Sequence, residues 1–297
     1  MSNITFIDRE TGNLIEEKPP GESFLKFIYG NNPLGKFSLH FMLKRKLASS
    51  LFGWYMGLQR SAGSIQHFVE KHNISLEEYV IPEGGFKTFN DFFYRKIKLS
   101  ARPIGQGLVA PADGKLLVFE SIEKTRSFFI KGNKFNLDDF LMNKELANKY
   151  DGGSMLIIRL APVDYHRFHF PADGIIGTST KIDGHYYSVS PLALKQSLEI
   201  FCQNKREYSI LQTHEYGDLL FCEVGATMVG SILQTYKDNT LIDKGAEKGY
   251  FAFGGSTIVL LAEKEKVQFS EDLVFNTEKG IETAIKLGET IGYQITG

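Results

Sequence analysis

The residues after position 85 form a series of short apolar runs that are separated by turns rich in Gly and Asp. This pattern is typical of β-strands joined by tight turns. Five runs are predicted to be strands: Leu116–Phe119, Met155–Leu160, Leu219–Val224, Met228–Gln234 and Thr257–Ala262. Two longer segments, Leu137–Tyr150 and Pro191–Asn204, are predicted to be helices. The pattern therefore favours an α+β fold in which a mostly antiparallel β domain contains helical insertions.

The first 84 residues have a different pattern. Residues 1–22 end in the breaker Pro-Pro-Gly and are predicted to form an extended arm or an edge strand. Residues 23–80 are predicted to be helical, because apolar residues recur at intervals of three, four or seven: Phe37, Phe41, Ala48, Phe52 and Tyr55. A second short helix is predicted over Ile65–Lys71. We predict two regions, an N-terminal arm with a helical segment at 1–84 and the β domain at 85–297.

The charges are distributed unevenly along the chain. The net charge of −1 does not favour a dedicated nucleic-acid-binding protein, so no nucleic-acid partner is expected. Between Ser23 and Val69, however, there is no Asp or Glu, and the charged residues are Lys26, Lys36, Lys44, Arg45, Lys46 and Arg60. Aromatic residues such as Phe41 and Trp54 accompany them. Basic and aromatic residues together favour an amphipathic helix at an anionic membrane surface. The alternative is an ordinary helix whose aromatic stripe packs in a core.

Hydropathy and cysteine content argue against several further classes of protein. The longest charge-free stretch in the basic segment, 47–59, has 13 residues. A helix that crosses a bilayer needs about 20 apolar residues, so no transmembrane helix is predicted. The acidic first 20 residues lack the apolar core of a secretory signal. Cys202 and Cys222 form no CxxC or Cys/His pattern, so neither a disulfide scaffold nor a zinc knuckle is indicated.

The first candidate for chemistry is Gly254-Gly255-Ser256-Thr257, which precedes an apolar run. Two glycines give the backbone the freedom to leave the Gly255 carbonyl open to attack by the Ser256 hydroxyl. The pattern is neither the Gly-x-Ser-x-Gly elbow of α/β-hydrolases nor a phosphate-binding loop. Taken alone, it favours a tight turn that leads into a core strand.

The second candidate is the segment from Asp164 to His169, which contains two histidines three residues apart. On an extended strand His166 and His169 would point to opposite faces, so joint binding of a metal would require a bend. No third ligand stands at a known zinc spacing, so acid–base chemistry ranks above a metal site. An isolated pair is usually one structural and one surface histidine. The third candidate, Asp113 in Pro-Ala-Asp-Gly, is by itself a turn aspartate.

Taken together, these motifs resemble the ordered motifs of the phosphatidylserine decarboxylase family. The resemblance is carried by the segments Pro111–Gly114, Leu160–His169, Val224–Ile232, Lys244–Gly249 and Gly254–Thr257, with Pro191–Leu194 and Asn204–Arg206 resembling the family's middle helix. It covers roughly residues 85–265. Gly254 stands where the family often has Leu, which leaves the cleaved bond intact but leaves open the subfamily and the packing before the bond.

The resemblance implies self-cleavage between Gly255 and Ser256 into fragments 1–255 and 256–297, with Ser256 converted into a pyruvoyl group. It implies that His169 is the base that activates Ser256 and that Asp113 orients His169. His166 is assigned to the second reaction, as proton donor to the substrate carbon or as an organiser of that step. The implied reaction is decarboxylation of phosphatidylserine to phosphatidylethanolamine through a Schiff base with the pyruvoyl carbonyl. No metal is implied.

The resemblance also implies partners and a location. The expected partners are phosphatidylserine and an anionic membrane surface, and the expected location is peripheral, at the cytoplasmic face of a bacterial inner membrane. The protein is expected to consist of two chains from one precursor, and a homodimer is left open. Three alternatives stand beside this interpretation: a soluble pyruvoyl-dependent amino-acid decarboxylase, a non-catalytic membrane-binding module of the same fold, and a metal hydrolase that uses the two histidines.

Overall fold

The computed structural model describes residues 4–17, 53–124, 135–185, 199–225, 231–252 and 256–296. The strands in these ranges are β1 (Ile4–Asp8), β2 (Leu14–Glu17), β3 (Tyr79–Val80), β4 (Lys96–Ile97), β5 (Leu108–Val109), β6 (Gly114–Phe119), β7 (Ser154–Leu160), β8 (Arg167–His169), β9 (Gly174–Ile176), β10 (Thr180–Ile182), β11 (Arg206–Gln212), β12 (Asp218–Gly225), β13 (Ile232–Gln234), β14 (Thr240–Ile242), β15 (Glu247–Phe251), β16 (Ser256–Ala262), β17 (Val267–Phe269), β18 (Glu282–Ile285) and β19 (Thr290–Gln294).

Short helices connect these strands. The labelled α-helices are α1 (Ile65–Lys71), α2 (Phe89–Phe93), α3 (Leu137–Leu141), α4 (Lys144–Lys149), α5 (Glu199–Gln203) and α6 (Glu271–Glu278), and 3-10 helices cover Gln59–Ser64, Leu99–Ala101 and Ile122–Lys124. Residues 53–56 are also helical. None of the helices in the described ranges combines the length and the apolar character that crossing a bilayer requires.

One large sheet forms the centre of the fold. Its strand order is β14–β9–β11–β12–β16–β7–β6–β18–β1–β2, and β10 pairs with β11. Every residue of β6, β7 and β16 is buried, as expected for strands whose two faces are both covered. Neighbours in this sheet are antiparallel except β1 and β18, which are parallel. The predicted α+β class with a mostly antiparallel β domain is confirmed.

Most predicted elements lie close to their expected positions. Four of the five predicted strands are β6, β7, β12 and β16, and the described part of the fifth is β13. The predicted helix over Leu137–Tyr150 is instead two helices, α3 and α4. Met142 lies between them with φ +50°, and the Asn143 side chain accepts a hydrogen bond from Leu146 N at the start of α4. Of the predicted helix over Pro191–Asn204, the described part is α5.

The N-terminal region is described only in part. Residues 4–17 form a hairpin whose second strand, β2, is an edge of the large sheet, as predicted. The predicted helix over Ile65–Lys71 is α1 with the same bounds. Residues 18–52, which contain most of the basic segment, lie outside the described residues. The membrane-associating role of that segment therefore remains a prediction.

A three-stranded sheet and the helix α2 position the residues that are candidates for chemistry. A three-stranded sheet, β13–β15–β8, packs on the large sheet, with Phe168 of β8 5.9 Å from Phe221 of β12 between ring centroids. The helix α2 contributes Phe89, Phe92 and Phe93 to a separate apolar cluster. Partly buried residues from 56–76 pack against that cluster, so residues on both sides of the predicted boundary at 84/85 share it.

Candidate active site

Ser256 lies at the start of the central strand β16. It pairs with Gly225 of β12 on one side and with Leu160 of β7 on the other. Its side chain is fully buried. Residues 253–255 lie outside the described residues, so Gly255 and the predicted cleavage bond have no described geometry. Because β16 is held by two neighbouring strands, the hydroxyl of Ser256 has a fixed position at one end of the sheet.

His166 is the histidine that contacts Ser256. Its Nδ1 lies 3.2 Å from Ser256 Oγ, and its Nε2 lies 3.0 Å from Ala161 O. A carbonyl oxygen only accepts hydrogen bonds, so Nε2 carries the proton and the neutral ring accepts at Nδ1 from the Ser256 hydroxyl. The ring stacks on Phe93 at 3.8 Å between centroids. The site therefore contains a serine hydroxyl that is hydrogen bonded to an unprotonated imidazole nitrogen.

The surroundings of His166 keep it neutral. Burial lowers its pKa to about 3, and the positive charges of Arg95 and Lys115 act in the same direction. The two hydrogen bonds of the ring also match the neutral tautomer. At physiological pH this histidine is an acceptor toward Ser256 rather than a cation.

A short turn carries the carbonyl that binds His166. Asp164 N donates to Ala161 O at 2.8 Å, and Ala161 N donates to Asp164 Oδ2 at 2.7 Å. Lys115 Nζ lies 2.7 and 2.8 Å from the two carboxylate oxygens of Asp164. Arg95 donates to Val163 O in the same turn. The turn 161–164 is thus held by two buried cations from outside it.

His169 lies on β8 and has other partners. Its Nδ1 donates to Gly245 O at 2.9 Å, so in the neutral ring Nε2 accepts from the Tyr165 hydroxyl at 3.1 Å. Gly245 has φ +82°, a conformation that favours glycine. Burial lowers the pKa of His169 and the Arg167 cation adds to that shift, whereas the Gly245 carbonyl and the carboxylates of Glu247 and Asp113 oppose it.

Asp113 lies close to His169 but is bound by other groups. Its carboxylate accepts two hydrogen bonds from the Arg102 guanidinium, at 3.0 and 2.7 Å, and one from Leu287 N at 2.8 Å. His169 N donates to Pro111 O two residues earlier. Among the hydrogen bonds of the described residues, none joins Asp113 to a histidine ring. The pairing of Asp113 with His169 therefore remains a prediction.

The structure brings the predicted site residues to one region, with a different set of contacts from the one that the resemblance implies. It joins Ser256 to His166, and it places His169, three residues further along the chain, against Tyr165. Sequence analysis did not single out Phe93 or Lys115. Lys115 directly follows the quoted Pro-Ala-Asp-Gly motif, so its position was a usable signal, whereas nothing local marks Phe93.

In chemical terms the site offers a nucleophile, two imidazoles and buried cations. A hydroxyl that donates to an imidazole nitrogen can attack a neighbouring carbonyl once its proton is removed. In the described ranges, no three His, Cys, Asp or Glu side chains converge on a point where a metal ion could be held.

Comparisons with known proteins agree with the motifs. A sequence model of the phosphatidylserine decarboxylase family matches residues 89–293. A phosphatidylserine decarboxylase proenzyme of Fusobacterium nucleatum is 50% identical over 295 residues, 98% of either chain. The proenzymes of Clostridium novyi and Chlamydia muridarum are 48% and 44% identical, over 94% and 97% of this chain and 95% and 96% of theirs. The chain therefore belongs to the phosphatidylserine decarboxylase family.

Proposed function

We propose that this protein decarboxylates phosphatidylserine to phosphatidylethanolamine and CO2, after activating itself by cleavage between Gly255 and Ser256. The observation that carries the proposal is the buried Ser256 hydroxyl, 3.2 Å from a neutral imidazole nitrogen at the start of a central strand. The relatives are called proenzymes, a name that fits an enzyme formed by processing.

The cleavage uses only groups of this chain and water. Ser256 Oγ loses its proton and attacks the Gly255 carbonyl carbon, and the Gly255–Ser256 peptide bond breaks to give an ester and a free amine. Loss of the Ser256 Cα proton and of the ester oxygen then releases fragment 1–255 with a carboxylate end. Water replaces the nitrogen of the unsaturated residue that remains, ammonia leaves, and fragment 256–297 begins with a pyruvoyl group.

Residue 256 fits the position of such a group, because it is buried and faces His166. A pyruvoyl group supplies a carbonyl that takes up the electrons left on the substrate's α-carbon when CO2 departs. The chain supplies the surroundings. The stacked ring of Phe93 helps to exclude water from this side. His166 directs its unprotonated Nδ1 toward residue 256, where it can accept a proton and return it.

Either histidine could serve as the base for cleavage, and their basicity distinguishes them. His166 touches Ser256, but a group whose pKa is held at about 3 accepts a proton poorly at neutral pH. His169 lies beside two carboxylates, Asp113 and Glu247, that favour its charged form. In this proposal His169 is the base and Asp113 stabilises it, whereas His166 serves the decarboxylation step.

This assignment requires His169 to change partners. Its Nε2 has to exchange the Tyr165 hydroxyl for Ser256 Oγ. Catalytic hydrogen bonds are often long or misaligned before the reacting complex forms, so the observed partner does not decide the role. Alanine variants of both histidines test the assignment.

The test of the function is a denaturing gel with intact mass, followed by measurement of CO2 release from phosphatidylserine. We expect a chain of 255 residues and one of 42 residues, the smaller of about 4.7 kDa by its share of the 33.5 kDa chain. Its N-terminus should react as a ketone and resist Edman sequencing. Ser256→Ala should stay a single inactive chain. An uncut 33.5 kDa wild-type chain that decarboxylates would refute the mechanism.

Peripheral binding to an anionic membrane is the second part of the proposal. Trp54 and Tyr55, at the described end of the basic segment, are 66% and 47% exposed. Such exposure supports insertion into a membrane surface over burial in a core. The double variant Trp54→Ala/Tyr55→Ala should bind vesicles that contain phosphatidylserine more weakly while it is cleaved normally.

Salt provides a second readout for membrane binding. Vesicle binding of the wild type should weaken as salt rises, because charges at a surface are screened over about 8 Å at physiological ionic strength. Phe275→Ala, at an exposed aromatic residue of α6, is the matched control. Equal binding by wild type and the double variant would show that Trp54 and Tyr55 do not contact the membrane.

A further inference from the structure

We propose that Lys115 and Asp164 are positioning residues for His166: by fixing the turn 161–164, their ion pair holds Ala161 O against His166 Nε2. This keeps Nδ1 as the nitrogen that faces residue 256. The inference rests on the proposed function only for the effect of His166 on the reaction. The hydrogen bonds themselves are independent of it.

Two hydrogen bonds between Ala161 and Asp164 close the turn 161–164. The Asp164 carboxylate closes it by accepting from Ala161 N, while Asp164 N donates to Ala161 O. Lys115 Nζ lies within 2.8 Å of both oxygens of that carboxylate. The side chains of Lys115 and Asp164 are 9% and 14% exposed. The position of Ala161 O is therefore set by an ion pair that lies largely out of solvent.

Ala161 O joins the turn to the imidazole of His166. Ala161 O accepts from His166 Nε2 at 3.0 Å, and this bond selects the tautomer with a free Nδ1. The partner on the unreactive nitrogen of a histidine commonly fixes both its tautomer and its ring orientation. Asn at position 164 could still accept from Ala161 N, but without the negative charge the turn loses its ionic anchor to Lys115 on β6. Arg95 then remains as its external contact, so Ala161 O is held less firmly.

The energetic cost of burying the Lys115–Asp164 ion pair bears on its role. Burying two charges is expensive, and apolar residues of similar volume often give equal or greater stability. Burial raises the pKa of Asp164, and Lys115 opposes that shift as the first of several compensating groups. A pair with this cost is better explained by the geometry that it maintains than by stability alone.

The primary test is histidine ¹⁵N NMR of Ser256→Ala, which cannot be cleaved whichever histidine is the base. His166 should show a protonated Nε2 and a free Nδ1. Adding Asp164→Asn or Lys115→Met should turn this into a mixture of tautomers. Glu223→Gln is the matched control, because Glu223 is a buried carboxylate paired with a lysine, and its side-chain partners, Lys248 and Gln234, lie outside the turn. It should leave the His166 signals unchanged.

Activity gives the second readout, in proteins that still carry Ser256. Asp164→Asn should lower kcat for CO2 release per pyruvoyl group by about tenfold or more, as loss of an outer partner does for metal-bound histidines, and should leave KM unchanged. In a His166→Ala background the same substitution should have no further effect, because coupled residues are not additive.

Two results would overturn the inference. One is an unchanged His166 tautomer in both Asp164→Asn and Lys115→Met. The other is an equal loss of activity from Asp164→Asn with and without His166, which would make the pair merely structural. If instead the wild type fails to cleave or to decarboxylate, the proposed function fails, and the NMR result still decides the role of the ion pair.

Discussion

At the scale of single residues, His166 and His169 differ mainly in the charges that surround them. Both are buried, and burial lowers both pKa values. Around His166 the neighbouring charges are the cations Arg95 and Lys115, which add to the effect of burial. Around His169 the Glu247 and Asp113 carboxylates oppose it, whereas Arg167 adds to it. One segment of the chain thus presents one weakly basic and one more basic imidazole, and the two reactions need different proton transfers.

The first prediction separates the two histidines. His169→Ala should remain a single chain, because cleavage needs a base before any substrate is bound. His166→Ala should be cleaved, at least in part, but should release CO2 about 10²–10⁴-fold more slowly per pyruvoyl group, the range that acid–base assistance contributes. The measurement is the cleaved fraction on a gel beside CO2 release normalised to that fraction.

The reverse result would assign the roles by contact instead of basicity. An uncut His166→Ala with a normally cleaved His169→Ala would make His166 the base, in line with its 3.2 Å contact with Ser256. A His166→Ala protein that is cut and fully active per pyruvoyl group would leave His166 without a catalytic role.

The second prediction concerns stability as a function of pH. Burial lowers the pKa of His166 from its ordinary value of 6.5 to about 3 in the folded protein. Between these values the unfolded chain binds a proton that the folded chain excludes, so the free energy of unfolding rises with pH through this window and levels off above it. One group contributes at most about 1.4 kcal/mol per pH unit. In Ser256→Ala, adding His166→Asn should therefore reduce the slope between pH 4 and 6.5.

Urea unfolding at several pH values measures this slope. His214→Asn, at an exposed histidine, controls for the loss of a histidine as such. Equal slopes with and without His166 would show that its imidazole binds protons equally in the folded and unfolded chains.

At the scale of elements, Arg206 connects the ends of two helices. Its guanidinium donates to the carbonyls of Asp139 and Phe140 in α3, and to those of Cys202 and Asn204 at the end of α5. Carbonyls in the last turn of a helix lack partners within it. The planar guanidinium can reach four such acceptors at once, which an ammonium group cannot match.

The third prediction is that Arg206→Lys destabilises the protein by about 1–3 kcal/mol, because buried carbonyls lose their donors. Urea unfolding of the single chain Ser256→Ala is the measurement. Arg9→Lys is the control, since Arg9 pairs with the half-exposed Asp272 at the surface, and such pairs contribute about 0–1 kcal/mol. Similar losses from both substitutions would show that Arg206 does not stabilise the helix ends specifically.

The strands and helices also show which features of the fold the sequence can predict. Apolar runs such as Thr257–Ala262 predict their strands because central strands are buried on both faces. The break at Met142 was missed, because the left-handed conformation there depends on the capping of the next helix by Asn143. Sequence motifs identified Ser256 and the histidines as a set. The contact between His166 and Ser256 depends on the turn at Ala161 and on Lys115, and tertiary pairings of this kind leave no local pattern.

At the scale of the whole molecule, the predicted cleavage would divide the large sheet without removing a layer from it. Residues 256–297 supply β16, which lies between β12 and β7, and β18, which lies between β6 and β1. Leu287 N also donates to Asp113 in the larger fragment. The smaller fragment would therefore be interleaved with the larger one, with its strand β16 fully buried within the sheet.

The last prediction follows from this interleaving. The two fragments of the cleaved protein should elute together in gel filtration without denaturant and separate only when the protein is unfolded. Because unfolding then releases two chains from one particle, the urea midpoint of the cleaved protein should rise with protein concentration, whereas that of the single chain Ser256→Ala should not. Loss of the smaller fragment under native conditions, or a midpoint independent of concentration, would contradict the arrangement. The dependence arises because β16 makes its ladder contacts on both edges with the other chain, so each chain alone lacks a complete sheet.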